Sequence, residues 1–315
     1  NHLVPEGDYF VTEGDEYDSA FFDKGPKFLH YRPDASILTG IEFDHADIFA
    51  DLDQIKDAFR KYVRLIRPEG VILVKHADAN IQDVLQEAVC KVETYGYLDG
   101  ADWQIENYRF EGGFGTFTLS HRGQKQGDFQ LAMIGRHNVE NAAAVAALCL
   151  GLGLTADEIN SAFKSFQGIK RRQEVVGVEK GVTVLDDFAH HPTAIRLTLE
   201  AVKEAYPGQR VWAVFEPRSA TSRRKVFEQD FPGSFLAADK VVIAGLFAPE
   251  KISQEDRLDP EQVVAHLIEK GTDAHFIEDV DAIVSFMAEN LKSGDVVLVM
   301  SSGGFGGIHQ KILGR

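Results

Sequence analysis

The chain has 315 residues, which at roughly 150 residues per domain corresponds to about two domains. Hydrophobic residues make up 44% and charged residues 26%, so a disordered or collagen-like chain is excluded. The 33 Lys and Arg residues against 49 Asp and Glu residues leave a net charge of -16, which argues against nucleic acid and anionic membranes as partners. Because Cys90 and Cys149 lack CxxC spacing and no apolar run approaches about 20 residues, we expect a cytoplasmic protein without disulfides or membrane spans.

Strand-like and helix-like patterns alternate along the first half of the chain, as is typical of an α/β fold. Strands are predicted over 9–12, 35–41 and 70–74, helices over 52–66, 81–89 and 138–152, and antiparallel strands between 103 and 131. Thr155 and Glu158 predict a capping box at the start of a further helix. A short basic segment at 167–172 follows, and it indicates a domain boundary that gives domains over 1–168 and 169–315.

The second half repeats this alternation. Strands are predicted over 182–185, 211–215, 240–244, 275–277 and 296–300, and helices over 193–206, 222–237, 260–269 and 280–291. The strands are short and apolar throughout, which favours a parallel sheet covered by helices on both faces.

Polar clusters follow the predicted strands, at the positions where open α/β sheets bind ligands. Two of these clusters are acidic. Residues 12–18 carry Glu13 among four carboxylates, and residues 42–47 carry His45 between two aspartates. Carboxylate oxygens suit Mg²⁺, so a shared magnesium site is one interpretation. A solvated acidic loop and a structural histidine are the alternatives.

The next two clusters combine amides, carboxylates and histidines. Asn138 and Asn141 are three residues apart and share a helix face, where amides can bind an adenine edge, although Asn138 would also serve as a plain helix cap. Asp187 and His190 lie between a strand and a helix. Adjacent histidines converge poorly on one zinc ion, so a nucleotide or polar substrate contact is favoured there.

The last two clusters suit anions. Residues 217–224 include Arg218 and Arg223, and the guanidinium group pairs well with phosphates and carboxylates. Residues 301–307 form a glycine-rich loop that starts with Ser301 and Ser302 and can expose backbone N–H groups. Six such clusters at strand ends together predict an enzyme.

Read together, these clusters resemble the Mur ligase family, the ATP-dependent amino-acid and peptide ligases of bacterial cell-wall synthesis. The resemblance spans Tyr9 to Leu313. It rests on five motifs in order, which are Glu13-x-Asp15-Glu16-x-Asp18, Asp44-His45-x-Asp47, Gly135-x-His137-Asn138-x-x-Asn141, Arg171-Arg172 and Asp186-Asp187-Phe188-x-His190-His191-Pro192. It implies a truncated central ATPase-like α/β domain followed by a C-terminal Rossmann-like α/β domain.

The resemblance also implies substrates and roles. Within the family, residues 215–219 and 302–309 resemble the member that joins UDP-N-acetylmuramate to the murein tripeptide L-alanyl-γ-D-glutamyl-meso-diaminopimelate. The implied roles are Mg²⁺ binding by Glu13 and His45, ATP binding by Asn138, Asn141, Arg172 and Asp187, catalysis by Glu13, His45 and Arg172, and substrate binding by His190, Arg218, Arg223, Ser301 and Ser302.

The sequence departs from the family pattern in one respect that bears on activity. Family members carry a phosphate-binding loop, Gly-x-x-Gly-Lys-Thr/Ser, and an N-terminal domain that binds UDP, and neither is found in this sequence. We therefore expect a fragment without ligase activity of its own. The alternatives are a ligase that adds L-alanine, a non-catalytic nucleotide-binding module, and a zinc hydrolase built on His190 and His191.

Overall fold

The structure is a computed structural model that describes residues 2–3, 7–20 and 22–314. Asn1 and Arg315, the outer ends of the two predicted domains, lie outside the described residues. Backbone contacts divide the chain into two compact units. The first comprises residues 1–105, 120–124 and 143–152, and the second comprises residues 106–119, 125–142 and 153–315.

The described residues of the first half of the chain form ten strands and four α-helices. In chain order they are β1 (His2–Leu3), β2 (Phe10–Val11), β3 (Asp18–Ala20), β4 (Asp23–Pro26), β5 (Ala35–Leu38), α1 (Leu52–Val63), β6 (Val71–Lys75), α2 (Ala79–Leu85), β7 (Lys91–Gly96), β8 (Trp103–Glu111), β9 (Phe114–His121), β10 (Gln124–Leu131), α3 (Arg136–Gly151) and α4 (Ala156–Ser165). Six of the strands make one sheet in the order β10-β9-β8-β7-β6-β5, and β5 to β8 are parallel neighbours.

Helix α1 shows how the sequence builds the core beneath this sheet. Asp51 caps it by accepting a hydrogen bond from the Gln54 N–H at 2.9 Å, which satisfies a donor that the first turn leaves open. Ile55, Phe59 and Val63 follow at helical spacing and are all buried. Burying each such side chain stabilises the fold by about 1.5–3 kcal/mol, so the apolar face holds α1 in place.

Within its described residues, the second half of the chain forms six strands and five α-helices. They are β11 (Glu174–Glu179), β12 (Val182–Asp187), α5 (Pro192–Ala205), β13 (Val211–Phe215), α6 (Phe231–Ser234), β14 (Lys240–Ala244), α7 (Pro260–Glu269), β15 (Asp273–Ile277), α8 (Val280–Asn290), β16 (Val296–Met300) and α9 (Ile308–Ile312). The sheet order is β11-β12-β16-β13-β14-β15, and only β11 pairs antiparallel with its neighbour.

The strands at the centre of this second sheet are apolar on both faces. Every residue of β13 and β16 is buried, because helices cover both sides of the sheet. Trp212 and Val299 belong to one core cluster together with Ile283 and Met287 of α8. The predicted α/β fold class is confirmed in both halves of the chain.

One predicted element is wrong. The continuous helix expected over 222–237 is a short 3-10 helix, Lys225–Phe227, followed by α6. The Ser219 and Ser222 hydroxyls bond to each other and to nearby backbone N–H groups, which competes with helical hydrogen bonding at the start of the segment. Pro232 lacks the N–H that a helix interior requires and instead lies in the first turn of α6.

Five strands, β1, β3, β4, β7 and β11, are absent from the sequence-based prediction. They are short or mix charged and polar residues with apolar ones, so no regular apolar alternation marks them in the sequence. No helix in the described part of the chain is long and apolar enough to span a membrane.

Candidate active site

The carboxyl ends of three neighbouring parallel strands bring polar side chains together in the second unit. Asp187 ends β12, Ser301 follows β16, and Glu216 follows β13. The Ser301 N–H donates to the Asp187 carbonyl oxygen at 3.2 Å, and the Ser301 hydroxyl donates to Glu216 Oε2 at 2.5 Å. All three residues are buried, so these bonds fix the loops that leave this edge of the sheet.

Asp187 is held by backbone donors on both sides. Its Oδ2 accepts from the Gln173 N–H at 2.8 Å and its Oδ1 from the Ala189 N–H at 2.7 Å. Burial raises the pKa of Asp187 above its usual value, although both hydrogen bonds and the charge of Arg172 oppose this shift. Each carboxylate oxygen can still accept one more hydrogen bond, as contact with a ribose hydroxyl would require.

The two adjacent arginines have different surroundings. Arg171 donates to the carbonyl oxygens of Ser301 and Gly303 and lies 3.3 Å from Asp186, so its guanidinium ties the loop after β16 to β12. Arg172 is exposed and lies over the Phe188 ring at 5.4 Å. Its backbone N–H donates to the Ile169 carbonyl oxygen at 3.1 Å. Across the residues that the structure describes, its guanidinium makes no hydrogen bond, which leaves the side-chain donors to a ligand.

Gln173 connects two of the predicted nucleotide-binding residues. Its backbone N–H donates to Asp187, and its Oε1 accepts from Asn138 Nδ2 at 3.0 Å. Asn138 Nδ2 also donates to the Ile134 carbonyl oxygen at 2.8 Å, so both amide hydrogens of Asn138 are used and only its Oδ1 still accepts. Helix α3 begins at Arg136, so Asn138 lies inside its first turn.

Asn141 lies on the exposed part of α3. Within the described residues its side-chain amide has no hydrogen-bond partner. Both its Nδ2 donor and its Oδ1 acceptor are therefore available to a ligand. Asn138 and Asn141 therefore differ: one amide is tied to Gln173 and the backbone, and the other is open.

The two histidines after β12 also differ. His190 Nδ1 lies 2.9 Å from the Phe188 carbonyl oxygen. His191 caps α5, since its Nδ1 accepts from the Thr193 N–H at 3.2 Å, and its ring packs edge-on against Phe227. The described residues contain no group of three or more His, Cys, Asp or Glu side chains arranged to hold a metal, so the zinc alternative lacks a ligand set there.

Arg218 and Arg223 lie in the loop after β13. Arg218 Nη1 is 3.5 Å from Glu216 Oε1, and its guanidinium lies 3.5 Å from the centre of the Phe247 ring. Arg223 donates to three backbone carbonyl oxygens, those of Ser219, Phe247 and Ala248. Arg218 thus faces the sheet edge, while Arg223 holds two loops together.

The acidic cluster belongs to the first unit. Glu16 Oε2 lies 3.9 Å from His45 Nε2, and the Tyr17 ring meets the His45 ring edge-on at 4.4 Å. Burial raises the pKa of Glu16, whereas a hydrogen bond from Lys27 lowers the pKa of Asp15. Glu13 is exposed, and the side chain of Asp18 lies outside the described residues.

This donor set fits Mg²⁺ only in part, because the described residues bring no three His, Cys, Asp or Glu side chains together as metal ligands here either. Mg²⁺ commonly takes one or two protein carboxylates and fills its remaining positions with water and substrate phosphates. Glu13 and Glu16 supply carboxylates in one loop, and His45 supplies an imidazole beside Glu16. The structure therefore adds Glu16 to the residues that the sequence singled out.

Reasoning from the sequence missed Gln173, Glu216 and Phe247. Gln173 directly follows the Arg171-Arg172 pair and Glu216 directly follows β13, so their positions carried a signal. Phe247 lies in a loop far along the chain from Arg218, and no sequence spacing connects the two.

Two family models match the chain. The model of the Mur ligase middle domain matches residues 2–149, and the model of the Mur ligase glutamate ligase domain matches residues 171–303. The chain therefore belongs to the Mur ligase family, and the resemblance seen in the motifs is confirmed.

The individual relatives are named for two different ligase activities. The UDP-N-acetylmuramate–L-alanine ligase of Caldanaerobacter subterraneus is 35% identical, over 99% of this chain and 66% of that protein. The UDP-N-acetylmuramate–L-alanyl-gamma-D-glutamyl-meso-2,6-diaminoheptandioate ligase of Escherichia coli is 38% identical, over 98% of this chain and 65% of that protein.

A solved structure supports the same placement. The murein peptide ligase from Psychrobacter arcticus is 33% identical and superimposes with a TM-score of 0.69, covering 100% of this chain and 65% of its own. The chain thus spans about two thirds of the length of the relatives it matches.

Proposed function

We propose that this chain forms the larger part of a murein peptide ligase, an ATP-dependent enzyme that joins UDP-N-acetylmuramate to L-Ala-γ-D-Glu-meso-diaminopimelate. The observation that carries this proposal is the guanidinium of Arg218 at the edge of the second sheet, which pairs with Glu216 but makes no side-chain hydrogen bond within the described residues. It lies within the segment that resembles this branch of the family. The similarity to the Escherichia coli and Psychrobacter arcticus proteins supports it.

In the proposed reaction, a carboxylate oxygen of UDP-N-acetylmuramate attacks the γ-phosphorus of ATP and ADP leaves. The amine nitrogen of the acceptor then attacks the acyl carbon, phosphate leaves, and the nitrogen loses one proton. Mg²⁺, when bound, would neutralise the charge of the phosphoryl group.

The residues of this chain would act through position and charge. Glu13, Glu16 and His45 would hold the metal, Asn141 would bind the adenine edge, and Asp187 would accept from the ribose. Arg172 would approach the phosphates, because its side-chain donors are unused within the described residues. His190, Arg218 and Ser302 would contact the acceptor, while Ser301 and Arg223 would hold the loops that carry them.

The proposal extends to the full-length protein. We propose a cytoplasmic enzyme whose domains in this chain cover 1–168 and 169–315, and whose UDP-binding domain and phosphate-binding loop come from residues outside this chain. The basis is the missing Gly-x-x-Gly-Lys-Thr/Ser motif and the partial coverage of the relatives.

A second candidate is the ligase that adds L-alanine to the same sugar nucleotide, which the 35% identity to the Caldanaerobacter protein favours. Phosphate release by the full-length protein separates the two. The assay contains Mg-ATP and UDP-N-acetylmuramate and compares the tripeptide with L-alanine as acceptor. Release with the tripeptide alone supports the proposal, release with L-alanine alone supports the second candidate, and release with neither supports a nucleotide-binding module.

A further inference from the structure

The guanidinium of Arg218 contacts an aromatic ring and passes close to a glycine. Its central carbon is 3.5 Å from the centre of the Phe247 ring. Gly303 is also close, because a Cβ added there would overlap the Nε, Cδ and Cζ atoms of Arg218. Only glycine therefore leaves room for Arg218 in this position. The contact with Phe247 is also electrostatic, because the face of the ring attracts a cation.

The Arg218 guanidinium forms an ion pair with one carboxylate. Its Nη1 lies 3.5 Å from Oε1 of Glu216, whose Oε2 accepts from Ser301. The donors of a guanidinium lie in its own plane, so an aromatic ring over its face leaves the N–H edges accessible. Among the described residues, the Arg218 side chain makes no hydrogen bond, and it is 26% exposed. Arg171 and Arg223, by contrast, are committed to backbone carbonyl oxygens.

The loop that carries Phe247 is anchored to the loop that carries Arg218. The Phe247 N–H donates to the Pro217 carbonyl oxygen at 3.1 Å, and Arg223 donates to the carbonyl oxygens of Phe247 and Ala248 at 2.9 and 3.1 Å. Phe247 is itself 40% exposed, which is more than a core side chain would be. Its ring lies against the Arg218 guanidinium, beside Gly303.

We infer that Phe247 is a positioning residue that determines acceptor specificity, because it orients Arg218 to bind a carboxylate of the incoming peptide. This inference rests on the proposed function. A carboxylate pairs with two parallel N–H groups only when the guanidinium plane is fixed, and the ring together with Gly303 fixes that plane. Without the Phe247 ring, Arg218 keeps its charge, but its guanidinium plane is no longer held in one orientation.

The test measures kcat and KM for the tripeptide, ATP and UDP-N-acetylmuramate in the full-length protein. Phe247→Leu should raise KM for the tripeptide about 3- to 30-fold and leave KM for the other two substrates unchanged. Phe247→Trp should leave KM for the tripeptide at its wild-type value, since tryptophan also supplies an aromatic ring. Gly303→Ala should act like Phe247→Leu by displacing Arg218. Ile268→Ala, which removes a side chain that is 56% exposed on α7, is the matched control and should change nothing.

A double variant separates positioning from a loss of structure. Arg218→Ala should itself raise KM for the tripeptide, and adding Phe247→Leu should raise it no further, because the ring would have no guanidinium left to orient. Additive effects, or a rise in KM for ATP instead of the tripeptide, would overturn the inference. If the wild-type protein ligates no acceptor at all, the proposed function fails and the variants are not the cause.

Discussion

Asp295 illustrates how a single buried charge is stabilised in the second unit. It is 4% exposed and accepts from Arg210 Nε and Nη2 at 2.9 and 2.6 Å, from Trp212 Nε1 at 3.1 Å, and from the Lys292 N–H at 2.9 Å. Burial alone would raise the pKa of Asp295, but the Arg210 pairing and the other donors outweigh it and hold that pKa below its usual value.

We expect Asp295→Asn to lower the free energy of unfolding at pH 7 by about 3 kcal/mol, because it leaves Arg210 without its charged partner. The pKa of Asp295 is lower in the folded protein than in the unfolded chain, where it is about 4. The ionised carboxylate therefore stabilises the fold above about pH 4, and this stabilisation is lost as the pH falls through the folded-state pKa. Urea unfolding at pH 7 and near pH 3 should therefore show the difference between variant and wild type shrinking in acid.

Glu200→Gln is the matched control for Asp295→Asn. Glu200 pairs with Arg196 on the surface of α5, and its side chain is 51% exposed. Exposed pairs of this kind contribute about 0.3–0.5 kcal/mol, so this change should have little effect on unfolding at pH 7. An equal effect of the two substitutions would contradict the role assigned to Asp295.

Among the helices and strands, the sequence predicted best those features whose hydrogen bonds lie within a single helical turn. The capping box predicted from Thr155 and Glu158 is present at the start of α4. The Glu158 N–H donates to Thr155 Oγ1 at 3.3 Å, and the Thr155 N–H donates to Glu158 Oε2 at 2.8 Å. The helix predicted over 222–237 failed, because the Ser219 and Ser222 hydroxyls bond locally instead.

Thr155→Ala should lower the free energy of unfolding by about 1 kcal/mol, since the first turn of α4 loses its side-chain acceptor. Thr155→Ser keeps the hydroxyl and should recover most of that loss. Equilibrium urea unfolding monitored by circular dichroism measures both variants. An unchanged midpoint in Thr155→Ala would show that the cap contributes nothing to stability.

At the scale of the whole molecule, the chain carries the acidic, amide and arginine clusters of the family but no Gly-x-x-Gly-Lys-Thr/Ser motif. In the proposed reaction that loop would place backbone N–H groups and a lysine against the nucleotide phosphates, so without it the attack on the γ-phosphorus would lack its main charge neutralisation.

We therefore expect residues 1–315 alone to release no phosphate from Mg-ATP, with or without UDP-N-acetylmuramate and acceptor. The full-length protein, assayed in parallel at the same concentration, is the positive control. Turnover by residues 1–315 comparable with that of the full-length protein would show that this chain contains all the groups the reaction requires.

The sequence by itself determined the fold class, most helices and central strands, and the clusters at the strand ends. It could do so because hydrophobic periodicity, capping residues and polar residues after strands are local properties of the chain. Strands 211–215, 240–244 and 296–300 match their predicted bounds, since each is a short run of mostly apolar residues that face both sides of the sheet. The residue after each run, Glu216, Gly245 or Ser301, is not a large apolar one.

Only the tertiary structure decided how the side chains of these clusters are used. It showed that Asn138 is tied to Gln173 while Asn141 is open, that Arg171 holds a loop while Arg172 faces outward, and that Phe247 stacks on Arg218. These pairings join residues far apart along the chain. Their geometry depends on strand order and loop packing, which no local pattern of residues encodes.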